Sequence, residues 1–183
     1  MNDPIAMLMG EHRLFERLLD ALDRWADQLG GSPDQTIARR DLEAFTVLLA
    51  DLVDAHHHGK EEDILFAAMV DAGFPSQGGP IAVMLHEHDL GRSHVRALRE
   101  LTALPSLPVG PAKSYVQAFG DLLRAHIQKE DHILYPMALR ILGPAMTEVG
   151  ARCERYESTP ETQARLGALM ATANELLSRY GPT

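Results

Sequence analysis

Three consecutive histidines, His56, His57 and His58, stand just ahead of two carboxylates, Glu61 and Glu62, in the segment HHHGKEEDILF. An imidazole and a carboxylate four residues apart lie one turn up the same helix face, where a nitrogen and an oxygen can converge on one cation. Successive residues of an α-helix point about 100° apart, so three adjacent histidines cannot all share that face. A second copy of the pattern makes the choice. HHGKEEDILF (57–66) aligns without a gap on HIQKEDHILY (126–135), and seven of the ten columns are identical or chemically close. His57 falls on His126, Lys60 on Lys129, Glu61 on Glu130 and Glu62 on Asp131.

The helices ahead of the two copies share a second feature, MGEH ending at His12 and LHEH ending at His88. The unit is Glu-His on one helix and His-x-x-x-Glu on the next, and it occurs twice. All its histidines fall on apolar stripes: Val53, Ile64 and Leu65 beside His57, and Leu122, Ile133 and Leu134 beside His126. Ionised carboxylates on a core-facing stripe require something cationic to meet them. The pattern therefore proposes His12, His57, Glu61, His88, His126 and Glu130 as ligands of a transition-metal site. Six mixed nitrogen and oxygen donors exceed what one tetrahedral zinc needs, which favours two ions, most naturally iron or manganese. His56, His58, His94 and His132 lack the pairing and are expected to be solvated or, at most, outside the ligand set. His86 points about 160° from His88, and the stripe favours His88. Glu11 and Glu87 point about 100° from the histidines they precede and receive no role beside them. Tyr115 and Tyr135 are expected to pack in the core.

Four long amphipathic helices position these residues. Asp3-Pro4 reads as a cap followed by proline at the first helical position, opening a helix to about residue 29. LGGSPDQ ends it, and further helices are expected over about 34–72, 80–103 and 111–142, separated by DAGFPSQGGP and LPSLPVGP. Short connections between such helices predict an all-α, antiparallel up-down-up-down four-helix bundle over 1–142. Residues 143–183 form a helical extension, in which STP caps an additional C-terminal helix and GPAMTEVG reads as a break. The leucines of that helix are a candidate surface for a homodimer.

Composition excludes other classes. Hydrophobic residues make up 45% of the 183 residues but aromatics only 5%, a balance suited to helix packing. The net charge of −9 disfavours a nucleic-acid partner. No apolar run approaches a membrane span, so no membrane partner is expected. The N-terminal residues lack the basic and apolar regions of a signal peptide, and the single cysteine, Cys153, fits a reducing compartment, so a cytoplasmic location is expected.

The ligand pattern resembles the hemerythrin-like, or HHE cation-binding, family from about residue 5 to 142. The resemblance implies a non-haem di-iron centre, two iron ions bridged by both carboxylates and an oxo or hydroxo group, with manganese or zinc less favoured. It departs from oxygen-carrying hemerythrins in two places. Met84 stands where a second third-helix histidine is expected, and Glu130 or Asp131 satisfies the last-helix spacing. Relatives in iron–sulfur repair usually carry an N-terminal cysteine-bearing segment, whereas Cys153 is the lone cysteine here. The implied function is binding of, or reaction with, oxygen, nitric oxide or peroxide, with oxidoreductase activity left open. The alternatives are an iron- or oxygen-sensing or iron-handling module without turnover, and a structural zinc bundle.

Overall fold

The computed structural model describes residues 3–31 and 34–181. Among them there is no strand. Helix α1 is Pro4–Gln28, α2 runs over 35–71, α3 is Pro80–Thr102, α4 runs over 109–142, α5 is Met146–Glu157 and α6 is Pro160–Tyr180. The expected helix starts are chemically built. Asp3 Oδ1 accepts from the Ile5 and Ala6 amides at 2.9 and 3.3 Å, with Pro4 at the first turn. Asp34 Oδ1 accepts from Thr36 N at 2.8 Å to start α2, and Thr159 Oγ1 from Thr162 N at 3.1 Å to start α6. Such caps satisfy amides that the helix itself leaves unpaired. The turn read in LGGSPDQ falls partly on residues 32 and 33, outside the described residues.

Two apolar cores lie at opposite ends of the bundle. One joins Phe15–Ala26 of α1 to Leu42–Val53 of α2, Leu98 of α3, Phe119 and Leu123 of α4 and Leu176 of α6. The other joins Ile5 and Leu8 of α1 to Leu65 and Met69 of α2, Met84 of α3, Leu134–Leu142 of α4 and Cys153 of α5. The start of α1 thus meets the end of α2, the start of α3 and the end of α4, which is the antiparallel up-down-up-down order. Between the cores sits a layer of buried histidine and carboxylate.

Two of the helices depart from ideal α geometry. Residues 49–58 and 61–66 of α2, and 130–134 of α4, close i→i+5 bonds instead of i→i+4. These wider turns narrow the angle between adjacent side chains and cluster at functional sites. All three lie at or beside the histidine layer. Their effect reaches the apolar stripe too: Ile133, expected inside, is 52% exposed.

GPAMTEVG is not a simple break. Gly143, at φ 48°, turns the chain, and Met146, Val149 and Cys153 then recur at helical spacing and bury in the second core. The resulting α5 lies so close to α2 that a Cβ on Gly59 would come 2.9 Å from the Tyr156 hydroxyl. That hydroxyl donates to Ala55 O at 2.9 Å. Helix α6 returns along α1 and α2, burying Leu169, Ala173 and Leu176, and is pinned by Tyr180 Oη donating to Asp41 Oδ2 at 2.7 Å. Those residues are covered by the chain's own flank, whereas Met170 of the same helix is 36% exposed.

Candidate metal centre

Helices α1 to α4 each bring one buried histidine to the central layer: His12, His57, His88 and His126, all 2% exposed or less. Glu61 and Glu130 are fully buried between them. The atoms fall into two groups. Donor atoms of His12, His57, Glu61 and Glu130 lie within 4.8 Å of one another, as do those of His58, Glu61, His88 and His126. Glu61 belongs to both groups. Glu130 also spans them, with Oε2 3.3 Å from His12 Nε2 and Oε1 3.2 Å from His126 Nε2.

The structure thus brings all six sequence-proposed residues together and adds His58. The helical projection puts that residue in solvent; instead its ring is buried and stacks on His88 at 3.7 Å between centroids. The wide turns of α2 bring positions 57 and 58 both to the layer, which an α-helical projection forbids. His58 thus joins the layer from α2, while Met84 of α3 packs in the adjoining apolar core. His56 is also buried rather than solvated, but it faces Glu11 and Glu157, away from the layer. His86 and His132 are exposed. The choice of Glu130 over Asp131 has a geometric counterpart: Asp131 Oδ1 sits 2.7 Å from His12 Nδ1, on the far side of that ring.

A ring of carboxylates orients the imidazoles, and each comes from the neighbouring helix. Glu11 on α1 accepts from His57 Nδ1 at 2.6 Å, Glu62 on α2 from His88 Nδ1 at 2.7 Å, Glu87 on α3 from His126 Nδ1 at 2.9 Å, and Asp131 on α4 from His12 Nδ1. The ring closes around the bundle. Each carboxylate is also met by a cation on the helix of the histidine it holds: Lys60, Arg92, Lys129 and Arg13 respectively. Glu11 and Glu87 therefore do have roles, across the helix interface rather than beside their own histidines. Their signal lies in the repeat, which places the glutamate, the lysine and the second acid alike in both copies. His58 alone is held from its own helix, by Asp54 Oδ1 at 3.3 Å from its Nδ1.

With Nδ1–H donated to a carboxylate, every Nε2 lone pair points inward. His12 Nε2 then faces His57 Nε2 at 2.9 Å, and His88 Nε2 faces His126 Nε2 at 3.2 Å. Opposed lone pairs at that range need a proton or a metal between them. Burial pushes His57 down to about 4 and His58 to about 3, so both are neutral donors near pH 7. Burial also opposes the charged forms of His12 and His126, but Asp131 and Glu130 beside the first, and Glu130 and Glu87 beside the second, outweigh it and raise both. Glu61 is pushed well above the ordinary carboxylate range by burial and by the Glu130 charge. Burial would do the same to Glu130, yet His126 and His12 hold it well below that range.

Whether the residues suit a metal is decided by atoms left without a partner. Among the described residues, Glu61 Oε2, both oxygens of Glu130 and His58 Nε2 are buried with no hydrogen bond. A buried unsatisfied polar atom costs about 1–3 kcal/mol, and more when charged. Four such atoms in one layer, ringed by inward lone pairs, fit a pair of cations sharing two carboxylates. A third group, Glu11, His56 and Glu157, also has metal-like spacing. There the buried Lys60 ammonium already bonds Glu11 and Glu157, so the cation is a side chain.

Tyr135, expected only to pack, reaches the centre. Its hydroxyl donates to Glu61 Oε1 at 2.6 Å and lies 3.4 Å from His12 Nε2, and its ring stacks on His12. Burial and the Glu61 charge raise it well above the ordinary phenol range, so it keeps its proton. Tyr115 is 38% exposed and is not in the core.

Compared with known proteins, residues 3–138 match the hemerythrin HHE cation binding domain. The chain is 35% identical over 102 residues to the iron-sulfur cluster repair protein YtfE of Musicola paradisiaca (strain Ech703), a match covering 52% of this chain and 45% of that protein. It is 37% identical over 91 residues to the protein of the same name from Dickeya chrysanthemi (strain Ech1591), covering 46% and 41%. These matches span less than half the length of the curated relatives. No solved structure gives a significant match. Among the described residues no helix is long and apolar enough to cross a membrane.

Proposed function

Because the chain belongs to the hemerythrin HHE cation-binding family, we propose that the buried layer holds two iron ions and binds or reacts with a small oxidant: oxygen, nitric oxide or peroxide. The observation that supports this most is the set of unpartnered buried atoms on Glu61, Glu130 and His58. His12 and His57 would hold one iron, His58, His88 and His126 the other, with Glu61 and Glu130 shared. Imidazole-rich donors with two carboxylates suit iron, and two irons in one site supply two electrons to a bound ligand.

The chain's own residues do the rest. The four cross-helix carboxylates fix each imidazole in the tautomer that presents Nε2. Tyr135 holds a proton at its hydroxyl beside the His12–His57 half and orients Glu61. The apolar cores on either side exclude bulk water. That first half offers two imidazoles where the other offers three, so a metal held there would have fewer protein donors and would leave room for a small ligand beside Tyr135. The relatives' printed role in iron–sulfur cluster repair is compatible with a centre of this kind.

Metal content and an absorption spectrum, taken on tag-free protein after exposure to air, test the reading. About two irons per chain with near-ultraviolet charge-transfer bands that change on adding nitric oxide are expected. Zinc alone, or no metal after iron reconstitution, would sink it.

A further inference from the structure

A cavity of about 320 Å³ runs between α2, α3 and α4 beside the His58–His88–His126 half. A diatomic ligand occupies about as much space as one water, whose share of liquid volume is about 30 Å³, so this cavity is about ten times too large for it. It lies in the range of sites that hold organic molecules, about 300–1,000 Å³. Nor does a small ligand need it, since the metal half it borders is the one already supplied with three imidazoles.

Its walls are apolar: Leu49 and Val53 of α2, Val95 of α3, Phe119 and Leu122 of α4. Two carboxylates also line it, Asp54 and Glu87, and each is matched by a cation, Arg92 and Lys129. Arg96 and Arg99 remain. Both line the cavity, both are exposed, and among the described residues no ion pair engages either. Arg99 stands eleven positions beyond His88, about 16 Å along α3. The cavity is therefore long, apolar along its sides, closed by the histidine layer at one end and uncompensated in positive charge at the other.

We propose that this cavity binds a medium-chain carboxylate, its headgroup between Arg96 and Arg99 and its hydrocarbon chain extended toward His88 and His126. Arginine's planar fork suits a carboxylate headgroup, and the walls reward each added methylene that leaves water. The proposal rests on the metal reading only in that the His58–His88–His126 imidazoles bind the metal and not the carboxylate.

Calorimetric titration of octanoate into the iron-loaded and the metal-free full chain tests it. One octanoate per chain is expected, with butanoate and octylamine each at least tenfold weaker. The double variant Arg96→Gln, Arg99→Gln should weaken octanoate at least tenfold while leaving iron content and the near-ultraviolet spectrum unchanged. Val95→Trp, which fills the cavity, should weaken it without touching the headgroup site. Iron-loaded protein that takes up no octanoate at millimolar concentration, equal uptake by the double variant, or equal uptake of octylamine would overturn the proposal. Octanoate bound by a chain that takes no iron would support this site while sinking the metal reading.

Discussion

The two halves of the buried layer descend from one repeated sequence unit, yet they have different surroundings. Around His12 and His57, Phe15 packs edge-on against His57 at 5.0 Å and Tyr135 stacks on His12 at 5.6 Å. Lys60 there is fully buried and bonds both Glu11 and Glu157 of α5. Around His88 and His126 an aromatic ring is also present, Phe66 stacked on His88 at 6.1 Å, but among the described residues no buried lysine ties Glu87 to a further helix. Lys129, the repeat mate of Lys60, meets only Glu87 among the described residues and is 36% exposed, and the cavity lies alongside. The sealed half has two imidazoles and a phenol; the open half has three imidazoles and room for an organic molecule. Duplication of a helix pair supplies two equal sets of donors; the wide turns of α2, which add His58, and the packing of α5 against one side of the bundle make them unequal.

The comparison breaks most completely at the shared carboxylates. Glu61→Ala removes an oxygen donor from both halves and is expected to lower metal content from about two per chain to near zero, measured by elemental analysis. Loss of only one metal would show that Glu61 serves a single half.

Single histidines should separate the halves. His12→Ala is expected to leave about one metal and to abolish the spectral response to nitric oxide. His58→Ala should loosen the other metal, with the nitric oxide response retained. Equal loss from the two variants would erase the distinction between a sealed and an open half.

The outer contacts sharpen it further. Removing a carboxylate that orients a metal-bound histidine lowers affinity by about 10–100-fold, so Glu11→Ala and Glu87→Ala should each act on one half by that factor. Glu157→Gln, one contact further out through Lys60, is expected to weaken the sealed half by a few-fold and leave the open half alone. Stepwise metal release to a chelator resolves the two.

The smallest effect is on pH dependence, because it is common to both halves. In the metal-free chain the carboxylates beside His12 and His126, one in each half, raise both above the ordinary imidazole range and so favour their protonated forms. Metal binding must displace those protons, so affinity should rise with pH through the raised values and fall as pH drops, with protons released on binding. His57 and His58, lowered to about 4 and about 3, add nothing until acid pH. Titrations in two buffers of different ionisation enthalpy count the protons; none released would contradict the raised values.

The sequence by itself determined the four long helices and which faces of them turn inward. Hydrophobic period, proline and aspartate at helix starts and the repeat are local features, and they lead directly to His12, His57, Glu61, His88, His126 and Glu130. What it could not determine was anything decided between helices. Glu11 lies about 100° from His12 and looks idle on its own helix, but that rotation aims it at His57 of the next one. His58 reaches the layer because α2 widens to i→i+5 turns, a departure from the α-helical geometry on which every helical projection depends. Helix α5 escapes a reading of local signals because Gly143 and Pro144 mark a break, while Met146, Val149 and Cys153 find their core only once the bundle exists. Tyr135, the Lys60–Glu157 seal and the cavity share that cause. Periodicity specifies which side of a helix is buried, whereas the relative rotation of packed helices specifies what each buried atom meets.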